Sequence, residues 1–378
     1  MTISNRRILV TGANGFIGKN LVVRLNELSN SIVSTFVRGD KPALLAQHLA
    51  EVDAVIHLAG ENRPTDEAAF TDVNTNLTAE ICKLIKHEIT AKNRYVPLVL
   101  ASSTQAQQNN PYGKSKLAAE EKVRALAQVT DNPCVVFRLP GVFGKWCKPN
   151  YNSVVATFCH NIAHGLPIQI NDSSKSINLV YVDDVVSSLL ATLEEPEPGF
   201  FMAAVEPEYI ITLGQLAEQI YAFADCRTSL ISERVGSGLV RALYATYVSY
   251  LPTNKFCYEI PGYIDSRGVF VEMLKTPDSG QFSYFTAHPG ITRGGHYHHT
   301  KTEKFLVIKG KAKFRFRHLL TNEFYEQYTS GEKPTVVDTI PGWAHDITNV
   351  GDDEMVVMLW ANENFDRQKP DTVAHRVE

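Results

Sequence analysis

The stretch GGHYHHTKTEKF (residues 294–305) crowds His296, His298, His299 and Glu303 together, side chains able to hold a divalent metal. On an extended strand, side chains two apart share a face. His296 and His298 then point together, while Tyr297 and His299 turn the other way. After a turn, Glu303 begins the next apolar run and can return a carboxylate to the same side. Far upstream, Tyr112 and Lys116 stand four apart in NNPYGKSKLAAEEKV, the spacing that puts both on one helix face. A cation close to a phenol favours the phenolate and lowers its pKa from about 10. A tyrosine so tuned can pass a proton to a carbonyl oxygen as hydride arrives. A third set is GANGFIG, with glycines at 12, 15 and 18 around Phe16 and Ile17. Gly12 permits a tight turn, Gly15 lets backbone approach a pyrophosphate, and Gly18 lets a helix pack on a strand.

Elements of suitable type surround these residues. RILVTG (7–12) reads as a buried parallel strand, and KNLVVRLNEL places Leu21, Leu25 and Leu28 on one helical face. The glycine turn thus joins strand to helix, whose N-terminus offers N–H groups to phosphate. Further strands, SIVSTFV (31–37), DAVIHLAG (53–60) and VPLVLASS (96–103), alternate with helical stretches in the doubly wound pattern. The second strand ends in VRGD, where Arg38 favours the 2′-phosphate of NADP over NAD. Beyond about residue 254 the texture becomes short alternating strands separated by turns, an antiparallel sandwich or jelly roll. We expect an α/β Rossmann-like domain over 1–245, a linker over 246–253 and an all-β domain over 254–378. A chain of 378 residues suits two domains, and a net charge of −4 points to neither nucleic acid nor an anionic membrane. Apolar runs are too short to span a bilayer, and the chain enters a strand too early for a signal peptide. Six scattered cysteines suit reduced thiols, so we expect a cytoplasmic enzyme.

The set TGANGFIG, DAVIHLAG, LASST, PYGKSK, RLPGVFG and LVYVDDV resembles the extended short-chain dehydrogenase/reductase family over roughly residues 5–245. That resemblance implies Tyr112 as proton donor. Lys116 would lower its pKa and hold the nicotinamide ribose, and Ser103 would hydrogen-bond the substrate oxygen. Ser102 and Thr104 stand as alternatives to Ser103. His57, Leu58, Ala59 and Gly60 would wall the cofactor, and Asn74 would open the next helix. In CKPNYNSVV (147–155), Lys148, Asn150, Tyr151, Asn152 and Ser153 are donors suited to a nucleoside diphosphate sugar.

From Gly290 to Gly310 the spacing of His296, His298 and Glu303 is similar to the first cupin motif, and PGWAHDITN resembles the second, adding His345. Three imidazoles and one carboxylate suit Zn, and also Mn, Fe or Ni. A reductase joined to a metal cupin resembles the bifunctional CapF-type (WbjC-type) enzymes of bacterial capsule and O-antigen biosynthesis. The resemblance implies C3 epimerisation of a UDP-2-acetamido-2,6-dideoxy-4-hexulose by the cupin, then NADPH-dependent reduction at C4. The product would be UDP-N-acetyl-6-deoxy-L-talosamine, on the route to UDP-N-acetyl-L-fucosamine. The metal would act as Lewis acid on the ketone oxygen. The general base is open among Tyr297, His299 and Lys304. We expect a homodimer acting on a UDP-sugar. Two other readings stand: a single-activity UDP-4-keto-sugar reductase whose cupin only binds or dimerises, and an NAD-dependent dehydratase or C4-epimerase.

Overall fold

Branched and apolar side chains alternate to opposite faces along strand Arg7–Thr11, and each face finds its own helical layer. Ile8 and Val10 pack with Ala54, Ile56 and Val99 against Leu21 and Leu25 of helix Phe16–Glu27 and Val185 and Leu189 of helix Val182–Ala191. Leu9 turns the other way, with Val55, Leu98 and Leu100, onto Ile81 and Ile85 of helix Leu77–Lys92 and Val123 and Leu126 of helix Pro111–Thr130. This three-layer arrangement is the reason the strands read as continuous apolar runs. The computed structural model describes residues 6–28, 31–62, 66–368 and 370–378.

The central sheet contains Ile32–Phe36, Arg7–Thr11, Ala54–His57, Leu98–Ser103, Cys134–Leu139 and Phe200–Ala203, in that spatial order, with every pairing parallel. The chain steps outward from Arg7–Thr11 to Ile32–Phe36 and returns to Ala54–His57 on the other side of the first strand. That reversal opens a crevice at the carboxyl ends of the first and third strands, where doubly wound folds bind ligands. Both the glycine turn and residues 58–60 leave the sheet there.

The all-β part has two antiparallel sheets. One orders Gly262–Asp265, Gly268–Lys275, Gln281–Ala287, Met355–Ala361, Glu303–Lys309 and Val336–Asp338. The other orders Phe324–Ser330, Lys311–His318, Trp343–Asn349, Thr292–Tyr297 and Val373–Ala374. Phe285, Phe305, Val307 and Val357 of the first meet Phe314, Phe316 and Ile347 of the second in one apolar core. The α/β and all-β classes are those expected from the sequence.

One compact unit runs up to Glu218 and includes Ala245–Tyr250; the other joins Gln219–Tyr244 to Leu251–Glu378. Residues 219–244, which the sequence reading places in the first domain, therefore group with the second unit. Helix Leu213–Ser229 is continuous across the division, so no break in periodicity marks it. Among the described residues no helix is long and apolar enough to cross a membrane.

Candidate functional site

At the crevice the glycines are required by close approach. Gly12 has φ +70°, and a Cβ there would lie 2.7 Å from the Ala59 nitrogen. A Cβ on Gly18 would lie 2.3 Å from the Gly12 carbonyl oxygen. Gly15 is the N-cap of helix Phe16–Glu27, so Phe16 and Ile17 lie in its first turn, and no side chain caps that turn by a hydrogen bond. Leu58 and Ala59 border the same turn: the Leu58 N–H donates to the Thr11 carbonyl and the Ala59 N–H to the Thr11 hydroxyl, each at 3.2 Å. Arg38 is exposed and ion-paired with Glu61. The reading of His57 as a cofactor wall needs correction. It is fully buried, 2.6 Å from the Thr11 hydroxyl and 2.9 Å from that of Thr78. Burial, aided by the Lys116 charge, lowers its pKa to about 3. It is a neutral tie between elements and has no surface to offer a ligand.

Tyr112 and Lys116 come from one face of helix Pro111–Thr130, as their spacing requires. Asn110 caps this helix, its side-chain oxygen accepting the Gly113 N–H at 2.7 Å, and Pro111 occupies the first turn. The Lys116 ammonium lies 6.0 Å from the Tyr112 ring centroid and donates to the Ala101 carbonyl at 3.1 Å. Burial lowers the Lys116 pKa to about 8, against the opposing charge of Glu120. Gly60 leaves room for it, since a Cβ there would stand 2.9 Å from Nζ. For Tyr112 the expected direction is reversed. Burial pushes the phenol up, and only a hydrogen bond with Ser103 pulls it back. Desolvation outweighs a cation that does not touch the hydroxyl.

The three candidate hydroxyls now separate. Ser102 donates to Glu120, whose carboxylate pairs with Arg138 at 2.6 Å, so it belongs to a buried structural network. Thr104 is exposed at the start of the 3-10 turn Thr104–Gln107. Ser103 alone of the three acts on the Tyr112 phenol, drawing its pKa down against burial. Asn74 lies within a π-helical turn, Phe70–Asn76, before helix Leu77–Lys92 rather than opening it. Its amide bonds Glu61 N at 2.8 Å, Glu61 O at 3.0 Å and the Ser115 hydroxyl at 2.9 Å, fixing the turn after Gly60 to the Tyr112 helix.

The 148–153 loop reaches the same turn. Tyr151 donates to Asn62 at 2.9 Å, and the Lys148 ammonium lies 5.2 Å from the Tyr151 ring centroid. Asn150 and Asn152 are exposed. Ser153 is engaged as the N-cap of helix Val154–Ala163, accepting the Ala156 N–H at 3.3 Å.

In the all-β unit, Gly294 and Gly295 take φ +96° and +79° and form a bulge, after which His296 stands opposite His345 across the strand pair. One donor atom from each of His296, His298, Glu303 and His345 lies within 4.8 Å of the others. The His298 Nδ1–H donates to the Asp371 carbonyl at 2.5 Å, because a carbonyl can only accept. Nε2 of His298 is then the nitrogen turned to Glu303 Oε2, at 3.2 Å. His345 Nε2 is 3.5 Å from the same oxygen, buried, and makes no hydrogen bond among the described residues. Three ring nitrogens and a carboxylate gathered this closely in a largely buried place form a donor set that fits a divalent metal. Burial, and next the neighbouring His345, lower the His296 pKa to about 4, so it is neutral near pH 7. Burial works against the Glu303 charge, but the Lys301 ammonium at 3.1 Å helps to hold its carboxyl well below the usual range.

The base candidates do not join this cluster. Tyr297 and His299 form a ring pair at 5.4 Å, Tyr297 also meets His375 at 6.0 Å, and exposed Lys304 pairs with Asp338. The sequence reading missed Lys301 and Asp371. Lys301 lies between two motif positions and could have been suspected; Asp371, some seventy positions away, gave no local signal.

Fold and site define a protein with a dinucleotide-type sheet in one unit and, in a β-sandwich in the other, a four-donor cluster that could hold a metal. Residues 8–203 match the NAD dependent epimerase/dehydratase family, and residues 263–373 match the polysaccharide biosynthesis C-terminal domain. The chain is 55% identical to the UDP-2-acetamido-2,6-beta-L-arabino-hexul-4-ose reductase of Pseudomonas aeruginosa, over 97% of this chain and 98% of that one. It also resembles the crystal structure of the capsular polysaccharide assembling protein CapF from Staphylococcus aureus. That likeness has TM-score 0.88 and 41% identity, over 98% of this chain and 100% of that one. The Bordetella bronchiseptica enzyme WbmF in complex with NAD+ shares the fold (TM-score 0.55, 20% identity, 66% of this chain and 93% of that one). The chain belongs to the NAD dependent epimerase/dehydratase family, as an enzyme of the CapF type.

Proposed function

We propose that this is a bifunctional nucleotide-sugar enzyme. Its cupin domain epimerises C3 of a UDP-2-acetamido-2,6-dideoxy-4-hexulose, and its reductase domain then reduces the C4 ketone to give UDP-N-acetyl-6-deoxy-L-talosamine. The product leads to UDP-N-acetyl-L-fucosamine for capsule or O-antigen. A cytoplasmic homodimer acting without membrane or nucleic acid belongs to the same reading.

The supporting observation is the gathering of three ring nitrogens around Glu303, His345 Nε2 making no hydrogen bond among the described residues, in a chain that also carries a Tyr–Lys–Ser site. The residues of the first unit fit NADPH. Gly12, Gly15 and Gly18 clear a path for a pyrophosphate to the helix N-terminus, and Arg38 can turn from Glu61 to a 2′-phosphate. NADPH, when bound, supplies the hydride. Tyr112, kept protonated by burial, then gives its proton to the C4 oxygen, which Ser103 orients by hydrogen bonding. Lys116 stabilises the phenolate left behind and holds the ribose. Lys148, Asn150, Tyr151 and Asn152 line the approach for the UDP-sugar, with Ser153 fixing the loop's end.

His296, His298, Glu303 and His345 would hold the metal, Zn being our choice. When bound, it would supply Lewis acidity to the C4 oxygen, so that the C3 proton becomes removable. A neutral His296 and an ionised Glu303 keep these two donors ready near pH 7.

The 55% identical relative is named as a reductase alone, which favours a second reading: reduction only, with the cupin as a binding or dimerisation module. One experiment separates the two. The enzyme is given a UDP-4-keto-6-deoxy-N-acetylhexosamine in D2O without NADPH, and C3 is followed by NMR alongside metal analysis. Deuterium at C3 that disappears on chelation supports the bifunctional reading. No exchange, with C4 reduction intact once NADPH is added, selects the reductase-only reading.

A further inference from the structure

We propose that Asp371 is a positioning residue of the metal centre, and that the C-terminal segment it anchors latches the metal-bearing loop into its binding geometry. The inference rests on the metal reading above and assigns a role to residues outside the ligand set.

The loop that carries His298 joins strand Thr292–Tyr297 to strand Glu303–Lys309, and His299 and Thr300 on it are exposed. Three successive backbone N–H groups, of His299, Thr300 and Lys301, converge on the Asp371 carboxylate at 2.9, 2.7 and 2.8 Å. The Thr300 hydroxyl adds a fourth bond at 3.0 Å. The same residue's carbonyl accepts the His298 Nδ1–H at 2.5 Å, which sets the tautomer and aims Nε2 at Glu303. One residue thus grips the loop with its side chain and the ligand with its backbone. Outer partners of this kind fix ring orientation and raise the basicity of the ligating nitrogen.

The residues that follow continue the grip. Val373 and Ala374 pair with Tyr297 and His296, and the His375 N–H donates to the Gly295 carbonyl at 2.9 Å. Val377 is buried, and its carbonyl accepts from Arg317 at 2.6 Å. Lys301, held by its N–H, extends its ammonium to Glu303 Oε1 at 3.1 Å. That contact leaves Oε2 as the oxygen turned to the histidines. Loosening the latch would free the ring of His298 and the carboxylate of Glu303 together.

The test compares full-length wild type, Asp371→Ala and Asp371→Asn. Zn2+ affinity is measured by competition with a chromophoric chelator, and the Co2+-loaded proteins are compared by absorption spectroscopy. Melting of the metal-free proteins reports any general loss of structure. We expect Asp371→Ala to lower Zn2+ affinity roughly 10- to 100-fold and to alter the Co2+ bands, with the metal-free melting midpoint little changed. Asp371→Asn, which keeps one acceptor oxygen, should lose less. If the alanine variant does not fold, a several-fold loss in the asparagine variant carries the same conclusion. Wild-type affinity and an unaltered Co2+ spectrum in both variants would overturn the inference while leaving the metal reading in place. A wild type that takes up no metal would overturn both.

Discussion

Tyr112 and Lys116 show how burial decides what a residue pair can do. Proximity to a cation alone would give a phenolate, but burial raises the phenol and lowers the ammonium, leaving Tyr112 with the proton that the proposed carbonyl reduction requires. Tyr112→Phe keeps the ring and removes the proton. We expect C4 reduction to slow by roughly 10²–10⁴-fold in kcat, with NADPH binding retained by fluorescence titration. Lys116 gives a stability test. Its folded pKa of about 8 lies below its ordinary 10.5, so the unfolded chain binds the proton more tightly. Stability is therefore penalised below about pH 8 and recovers as pH rises towards 10.5. Relative to Lys116→Met, wild type should gain up to about 3 kcal/mol between pH 7.5 and 10.5 in urea unfolding. A pH-independent difference would show that Lys116 is not desolvated.

Two short turns hold these residues in place. Helix Pro111–Thr130 begins hard against the 3-10 turn that follows Ser103: a Cβ on Gly113 would come 2.2 Å from the Gln105 carbonyl oxygen. Gly113→Ala should push the helix start from that turn, part Tyr112 from Ser103, and lower kcat more than KM in steady-state assays. In the sandwich, a Cβ on Gly294 would meet the His345 carbonyl oxygen at 2.9 Å in a backbone of φ +96°. Gly294→Ala should flatten the bulge and shift His296 from His345. Metal content by elemental analysis should then fall although no ligand has changed.

At the scale of the molecule, the proposed chemistry falls in two units, each with its own core. A change at one site should leave the other step standing. Glu303→Gln removes the only carboxylate of the metal cluster. We expect C3 deuterium uptake from D2O to vanish by NMR while NADPH is still oxidised by a 4-keto sugar. Loss of both activities in a protein that still melts cooperatively would show that the sites depend on one another.

What the sequence by itself determined is what rests on local spacing. The glycine turn, the four-residue step from Tyr112 to Lys116 and the two-residue step from His296 to His298 each follow from one period of one element. His345 came from resemblance to a family pattern. The tertiary structure decided what depends on burial and on distant partners. Glu120 and Arg138 occupy Ser102, leaving Ser103 for Tyr112. Tyr297, turned from the cluster by strand alternation, finds the ring of the distant His375 only in the folded sheet. Asp371 reaches His298 only because the C-terminal strand closes the sheet beside it. Periodicity can place a side chain on a face, but desolvation and pairing across long loops arise only when the chain has folded.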